Sequence, residues 1–344
     1  MKPRWMIESA RMAGHAALWW PERTKMRPAS AGADRFPYRP YCSSSYWRDI
    51  PPIFIIGAPR SGTSLLYELM VTNFRFSYIS NLAHRFYLTP ISASRIGRSA
   101  IHKWSGNFTS RYGHISGWGA PNEGGWIWRR WLEDGAWSDG ANLPSGTGAG
   151  LQALVTGLSS VLDAPFLNKN TMHSSRLLLL DRIWPDALFI EVRRDPVENA
   201  RSIIRAERQA GGPARDRQGW WSVRPLLASK MAGKCAIERA SMQVLGVTHD
   251  IVRDMAEIGP DRLITIDYAS LCMDCPRQME RIGDFLFRNG VIPEYRNPVP
   301  DHFTVSPSCP LGEREENLLS EFLHYYAAQI TASSPSLEID LSPC

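Results

Sequence analysis

The sequence predicts an α/β protein, a parallel sheet flanked by helices on both faces, and three stretches carry that expectation. Each passes from a short apolar run through a tight loop into a segment with helical spacing. The first is "PPIFIIGAPRSGTSLLYELM", from residue 51. Residues 53 to 56 are continuously apolar, as a strand buried on both faces requires, and Leu65, Leu66, Leu69 and Met70 then recur at helical intervals. The second is "DALFIEVRRDPVENARSIIRAERQ". It reads as a strand over residues 188 to 192, an N-cap at Asp195, Pro196 at the first helical position, and an apolar face from Ala200, Ile203 and Ile204. The third, "DRLITIDYASLCMDCPRQMERIGDFLF", gives a strand over 263 to 266 and a helix from Pro276 that turns Met279, Ile282, Phe285 and Leu286 inward.

These units bound one core domain over residues 51–290. Residues 1–50, rich in Pro, Arg and aromatics without sustained periodicity, read as an extension laid over that core. Residues 291–344 read as an irregular tail with one helix near "GEREENLLSEFLHYYAAQ" packing on it. The Gly- and Ser-rich "SDGANLPSGTGAG", 138 to 150, reads as a flexible connection. No internal repeat is present.

Composition narrows the function. A chain of 344 residues with 44% apolar content buries a large core, and its formal charge of +5 is spread along the sequence. That suits a small anionic ligand better than nucleic acid, which draws a denser basic stripe. No run approaches the roughly 20 apolar residues of a membrane span, and the N-terminal "AALWW" is too short for a secretory signal. The expectation is a cytoplasmic chain whose N-terminal arm either packs on its own core or makes a peripheral membrane contact. The six cysteines are dispersed; Cys272 and Cys275 form a lone C-x-x-C without a second pair, so reduced thiols and no metal site are expected.

The stretch "IIGAPRSGTS" carries the chemistry. Gly57 and Gly62 have the four-residue gap of a nucleotide P-loop, yet Thr63 stands where that loop needs its lysine. A glycine-rich turn between strand and helix aims backbone N–H groups and a helix N-terminus at an anion. Gly62 allows close approach, and Thr63 and Ser64 offer hydroxyls. A kinase would add a lysine and a magnesium carboxylate. Here Arg60 is the loop's cation, able to fork onto a terminal anionic group without metal.

"GAPRSGTSLL" resembles the phosphosulfate loop of sulfotransferases that use 3′-phosphoadenosine 5′-phosphosulfate (PAPS), in the form carrying P-R-S-G-T. A second motif agrees: the family's 3′-phosphate site is an arginine followed by x-Pro and, eight positions on, a serine, matched by Arg194, Pro196 and Ser202 in "RRDPVENARS". The resemblance covers roughly residues 52 to 287 and implies a P-loop-like fold with PAPS as co-substrate. It implies donor contacts from Pro59, Arg60, Ser61, Gly62, Thr63 and Ser64, and 3′-phosphate contacts from Arg194 and Ser202. "LNKNTMHSSRLLLLDRIWPDALFIEVRRDP" resembles the family's run into the second motif and implies Lys169 near the sulfuryl group. "ITIDYASL" implies Tyr268 against the cofactor.

Sulfuryl transfer is an in-line displacement: a base takes the acceptor's proton while cations, here Arg60 and Lys169, stabilise charge on the departing phosphate oxygen. Several relatives place a glutamate soon after the second strand, but "FSYISNLAHRFYLTP" offers Asn81 and His84 and no acid. The first candidate base is therefore Glu123 in "GWGAPNEGGWIWRRW", an acid among aromatics whose proton affinity a dry pocket would raise. His173, four residues after Lys169, is the second, and His84 the third, ahead of His114.

Trp118, Trp126, Trp128, Trp131 and Trp137, with Trp220 and Trp221, include core residues, but aromatic faces beside glycine loops also fit a carbohydrate or glycolipid hydroxyl acceptor. The seven arginines between Arg193 and Arg217 offer a face to an anionic acceptor. Two rival readings remain at this point: a P-loop kinase or hydrolase, and a catalytically silent nucleotide-binding scaffold.

Overall fold

β1 (Ile53–Ile56) is the centre of the molecule, with all four of its side chains at 0% exposure. Around it the computed structural model describes residues 46–110, 113–132, 137–209, 220, 222–229, 235–305 and 310–333. A short helix, α1 (Tyr46–Asp49), precedes β1, and the glycine loop leads out of it into α2 (Thr63–Asn73). Three short helices follow, α3 (Asn81–Arg85), α4 (Pro90–Ile96) and α5 (Arg98–Lys103), then α6 (Gly125–Trp128) and α7 (Thr147–Leu162). β2 (Leu167–Lys169), α8 (Leu177–Ile183), β3 (Leu188–Arg193) and α9 (Pro196–Gln209) come next. The chain continues through α10 (Ala236–Ile258), β4 (Leu263–Asp267), α11 (Tyr268–Met273), α12 (Cys275–Arg288) and α13 (Glu313–Ser333).

The four strands form one parallel sheet in the order β2-β1-β3-β4. Its register sets the site. Ile55 pairs with Lys169 and with Ile190, and Arg193 pairs with Asp267, so all four strands end on one edge. The segments after them, beginning at Gly57, Asn170, Arg194 and Tyr268, emerge there together. In open parallel sheets that carboxyl edge, where the chain leaves a central strand to either side, is where ligands bind.

The three units expected from sequence form as strand, loop and helix. Asp195 caps α9 by accepting from Glu198 N at 2.8 Å. The expected tail helix is α13. It packs against α9 and α10 through a second apolar cluster that includes Ile203, Leu245, Leu319, Leu323 and Tyr326. Arg201 on α9 also forks onto Glu316 of α13 (Nε to Oε1 3.0 Å, Nη2 to Oε2 2.8 Å), so the C-terminal helix braces the helix that carries Ser202.

The structure corrects the reading of 138–150 as a connection alone, because its last residues open α7 at Thr147. Leu151, Leu154, Val155 and Leu158 bury that helix against the core. Cys272 and Cys275 pack inside α11 and α12; burial pushes both thiols up, Cys275 to about 11. The N-terminal arm, Trp221, Cys42, Cys309 and Cys344 lie outside the described residues. Among the described residues, no helix is long and apolar enough to cross a membrane.

Candidate active site

The loop leaving β1 is tightly curled and held from several sides. Gly57 is fixed by Ser174, whose Oγ accepts from Gly57 N at 2.9 Å and donates to Gly57 O at 3.0 Å. Arg60 adopts a left-handed backbone (φ 67°), an uncommon state for a residue with a side chain, which curls the loop. Gly62 (φ 106°) is required: a Cβ there would stand 2.3 Å from Cδ2 of Tyr268. No side chain caps the first turn of α2, so its orphan N–H groups face the loop. Ser61 is buried and its Oγ has no hydrogen-bond partner among the described residues. Buried hydroxyls are normally satisfied, and an anion seated in this loop would satisfy this one.

One side of that loop is formed by the segment leaving β3, by α9 and by α11. Arg194 donates from Nη1 to the carbonyl of Arg60 (3.4 Å) and lies over the Tyr268 ring, 4.7 Å from its centroid. Arg60 Nε in turn donates to Ser202 Oγ at 3.3 Å. Arg60, Arg194, Ser202 and Tyr268 are thus brought together from three separate segments. Glu198 is 3.7 Å from Arg194, but Arg201 holds its other oxygen at 2.7 Å. The basic stretch from Arg193 is mostly accounted for by such pairs: Arg193 with Glu191, Arg201 with Glu316, Arg208 with Glu315. Arg193 and Arg208 remain about half exposed, and Arg215 and Arg217 lie outside the described residues.

On the other side of the loop, Lys169 at the end of β2 contacts both Ser64 Oγ (3.1 Å) and the Glu123 carboxylate, with which it forms an ion pair. Glu123 therefore reaches the site from a loop 46 residues away. Its carbonyl is gripped twice, by Trp128 Nε1 at 3.1 Å and Asn170 Nδ2 at 3.3 Å. The preceding Asn122 donates from Nδ2 to Asn81 Oδ1 at 2.7 Å. Asn122 thus ties the loop that carries Glu123 to Asn81. Glu123 sits differently from the expected dry aromatic pocket: it is ion-paired and its side chain is 35% exposed. Gly113 (φ 81°) covers the pair; a Cβ there would lie 3.2 Å from Glu123 Oε1 and 3.7 Å from Lys169 Nζ.

The histidines are corrected by their places. His173 is fully buried, bonded through Nε2 to Asn168 Oδ1 (3.2 Å) and set edge-on to Trp128 and Phe54. Burial, then the Arg176 charge, pushes it well below its ordinary value, so it is a neutral wall residue without access to an acceptor. His84 lies on α3, one turn from Asn81, and is 8% exposed; burial first, then Arg129 and His114, lowers it from 6.5 to about 4.

That shift has a testable sign. The folded state excludes a proton that the unfolded chain accepts, so stability is full above 6.5 and is lost as pH falls toward about 4. The loss is on the order of 3 kcal/mol. Asp250 opposes it, since burial raises it from 3.8 to about 6 and its contribution grows over the same fall. Urea unfolding of wild type and His84→Asn at about pH 7 and about pH 4 isolates the histidine. The variant is expected to lose roughly 3 kcal/mol less than wild type. Equal losses would mean that His84 titrates normally.

The tryptophans divide. Trp128 is core, Trp137 donates to Asp254 under Arg253, Trp126 sits between Tyr87 and Arg129, and Trp220 belongs to the second apolar cluster. Trp118 is 63% exposed. Sequence reasoning missed Ser174, Gly113 and Asn170, none of which has a local signal for its role.

A parallel sheet whose central strand opens into a glycine loop at its carboxyl edge sets the frame of the site. The family model for the sulfotransferase family matches residues 51–288, and the chain belongs to that family. Among solved structures, it is similar to sulfotransferase STF9 from Mycobacterium avium at 16% identity, covering 85% of this chain and 78% of that one (TM-score 0.48). It is also similar to the sulfotransferase domain from the curacin biosynthetic pathway, at 14% identity over 85% of this chain and 94% of that one (TM-score 0.42). A third, from the Synechococcus PCC 7002 olefin synthase, is 17% identical over 80% of this chain and 94% of that one (TM-score 0.41). Comparison with curated proteins returns no match.

Proposed function

We propose that the protein transfers the sulfuryl group of PAPS to a hydroxyl of a carbohydrate or glycolipid acceptor, in the cytoplasm. The observation that carries this reading is the loop itself: a buried Ser61 hydroxyl with no hydrogen-bond partner among the described residues, beside an Arg60 that bonds to both Ser202 and Arg194. PAPS supplies an electrophilic sulfur with a phosphate leaving group. The loop amides with Thr63 and Ser64 hold its 5′-phosphate, Arg194 and Ser202 hold the 3′-phosphate, and Tyr268 lines the site between them. Glu123 takes the acceptor's proton. Lys169, already shared between Glu123 and Ser64, sits where it can follow the negative charge onto the leaving oxygen while Arg60 meets it from the loop. Support for a sugar-bearing acceptor is the exposed Trp118, five residues ahead of Glu123, whose face suits a sugar ring.

Transfer of labelled sulfate from PAPS to a panel of hydroxyl acceptors tests the reading, and no transfer to any of them would favour the silent scaffold. Activity is expected to survive excess EDTA, because Arg60, Lys169 and Arg194 supply the positive charge that a phosphotransfer site takes from magnesium. Abolition by EDTA with rescue by magnesium would overturn the reading in favour of a kinase.

A further inference from the structure

We infer that the face built by α3, α4, α5 and the turn at Trp118 docks on an anionic lipid bilayer. Four large apolar side chains stand out from it: Phe86 at 52% exposure, Leu88 at 49%, Ile96 at 85% and Trp118 at 63%. Exposed apolar residues are ordinary when scattered. These are gathered around one residue, Leu82. Its carbonyl accepts from Phe86 N (3.1 Å) and its N–H donates to Trp118 O (3.0 Å). Its Cδ2 lies 2.5 Å from where a Cβ on Gly97, beside Ile96, would stand. Leu88 joins through the turn in which Thr89 N donates to Phe86 O at 2.9 Å.

Charge selects the occupant. Between Glu68 and Glu123 the sequence holds no aspartate or glutamate. Over the same interval Arg85, Arg95, Arg98 and Lys103 are exposed on these helices. Arg75 is engaged elsewhere, with Asp163 and Glu294. A second copy of the chain meeting this face about a twofold axis would set these cations against themselves. An anionic bilayer meets every feature: lysine and arginine reach the head groups, Trp118 and Phe86 suit the interface, and Leu88 and Ile96 enter the acyl boundary. The face is also joined to the site. Asn81 N donates to Ala120 O (2.9 Å), and Asn122, next to Glu123, donates to Asn81 Oδ1 (2.7 Å). A docked bilayer would lie beside the approach to Glu123. The consequence, an acceptor hydroxyl carried on a lipid head group, rests on the sulfotransferase reading above; the docking does not.

The test spins the full-length chain, without donor or acceptor, with sucrose-loaded vesicles of phosphatidylcholine alone or with about one third phosphatidylglycerol. Binding is expected only to the anionic vesicles, and it should fall as salt rises. The double variant Arg98→Gln/Lys103→Gln should lower partitioning roughly twenty-five-fold, about fivefold per charge. Phe86→Ser/Ile96→Ser should lower it about tenfold or more. Both pairs of side chains are exposed, so Tm and affinity for adenosine 3′,5′-bisphosphate should not move. Three results each overturn the proposal: equal binding to both vesicle types, no binding to either, or unchanged binding by both variants. So does a wild-type dimer that Phe86→Ser/Ile96→Ser converts to monomer without affecting vesicle binding. Because no donor is present, failure of sulfuryl transfer leaves this result standing, and failure of vesicle binding leaves the donor site standing.

Discussion

Glu123→Gln is expected to lower turnover by roughly 10²–10⁴-fold, the usual contribution of a positioned general base. Affinity for adenosine 3′,5′-bisphosphate should hold. The amide keeps the shape of the carboxylate, and the Trp128 and Asn170 bonds to the Glu123 carbonyl involve backbone that the substitution leaves alone. What the variant loses is the ability to accept a proton, a loss felt in the transition state and hardly in the bound ground state. Glu123→Asp should fall between, because the shortened side chain draws back from Lys169. His173→Ala should instead act through packing, since that imidazole fills space between Phe54 and Trp128. Stopped-turnover rates at saturating PAPS, with calorimetric binding of the bisphosphate, separate these outcomes. Near-normal turnover by Glu123→Gln would remove it as base.

How much of this was legible in the sequence depended on whether a residue's role is local. β1 announced itself because a strand buried on both faces must be continuously apolar, β3 and β4 through short apolar runs of their own, and the helices after all three carry inward faces. β2 gave no such sign. Its three residues, Leu167, Asn168 and Lys169, lack β-branching, and the lysine belongs to the strand only because it closes the sheet edge at the site. α7 was hidden by its glycine-rich start, although Leu151, Leu154, Val155 and Leu158 repeat at helical spacing beyond it. In the site, Arg60, Arg194 and Ser202 stood out because the two short stretches that carry them resemble the family's motifs in order and spacing. The pairing of Glu123 with Lys169 under Gly113 did not, since these residues meet only through the tertiary fold. The same limit misled the histidine reading: proximity to Lys169 along the chain placed His173 near the chemistry, while the turn at Thr171–Ser175 folds it into the core.

Arg194→Ala is expected to weaken adenosine 3′,5′-bisphosphate binding roughly 10- to 150-fold, the range for a charge-assisted contact. Adenosine 5′-phosphosulfate, which lacks the 3′-phosphate, should bind nearly as before. The comparison matters because Arg194 does more than carry charge: it stacks on Tyr268 and reaches the carbonyl of Arg60. If those contacts were its whole purpose, both ligands would suffer alike, because a loosened Arg60 would disturb the 5′ side as well. Arg194→Lys provides a second discriminator. It keeps the charge but not the planar fork, so it should recover part of the lost bisphosphate affinity without restoring the stack on Tyr268. Ser202→Ala is less selective by design of the site, since Ser202 Oγ also accepts from Arg60 Nε, and some loss for both ligands is expected there. The decisive quantity is the ratio of the two dissociation constants in Arg194→Ala against wild type. A ratio that stays where it is in the wild type would detach Arg194 from the 3′-phosphate and leave it as a brace for the loop.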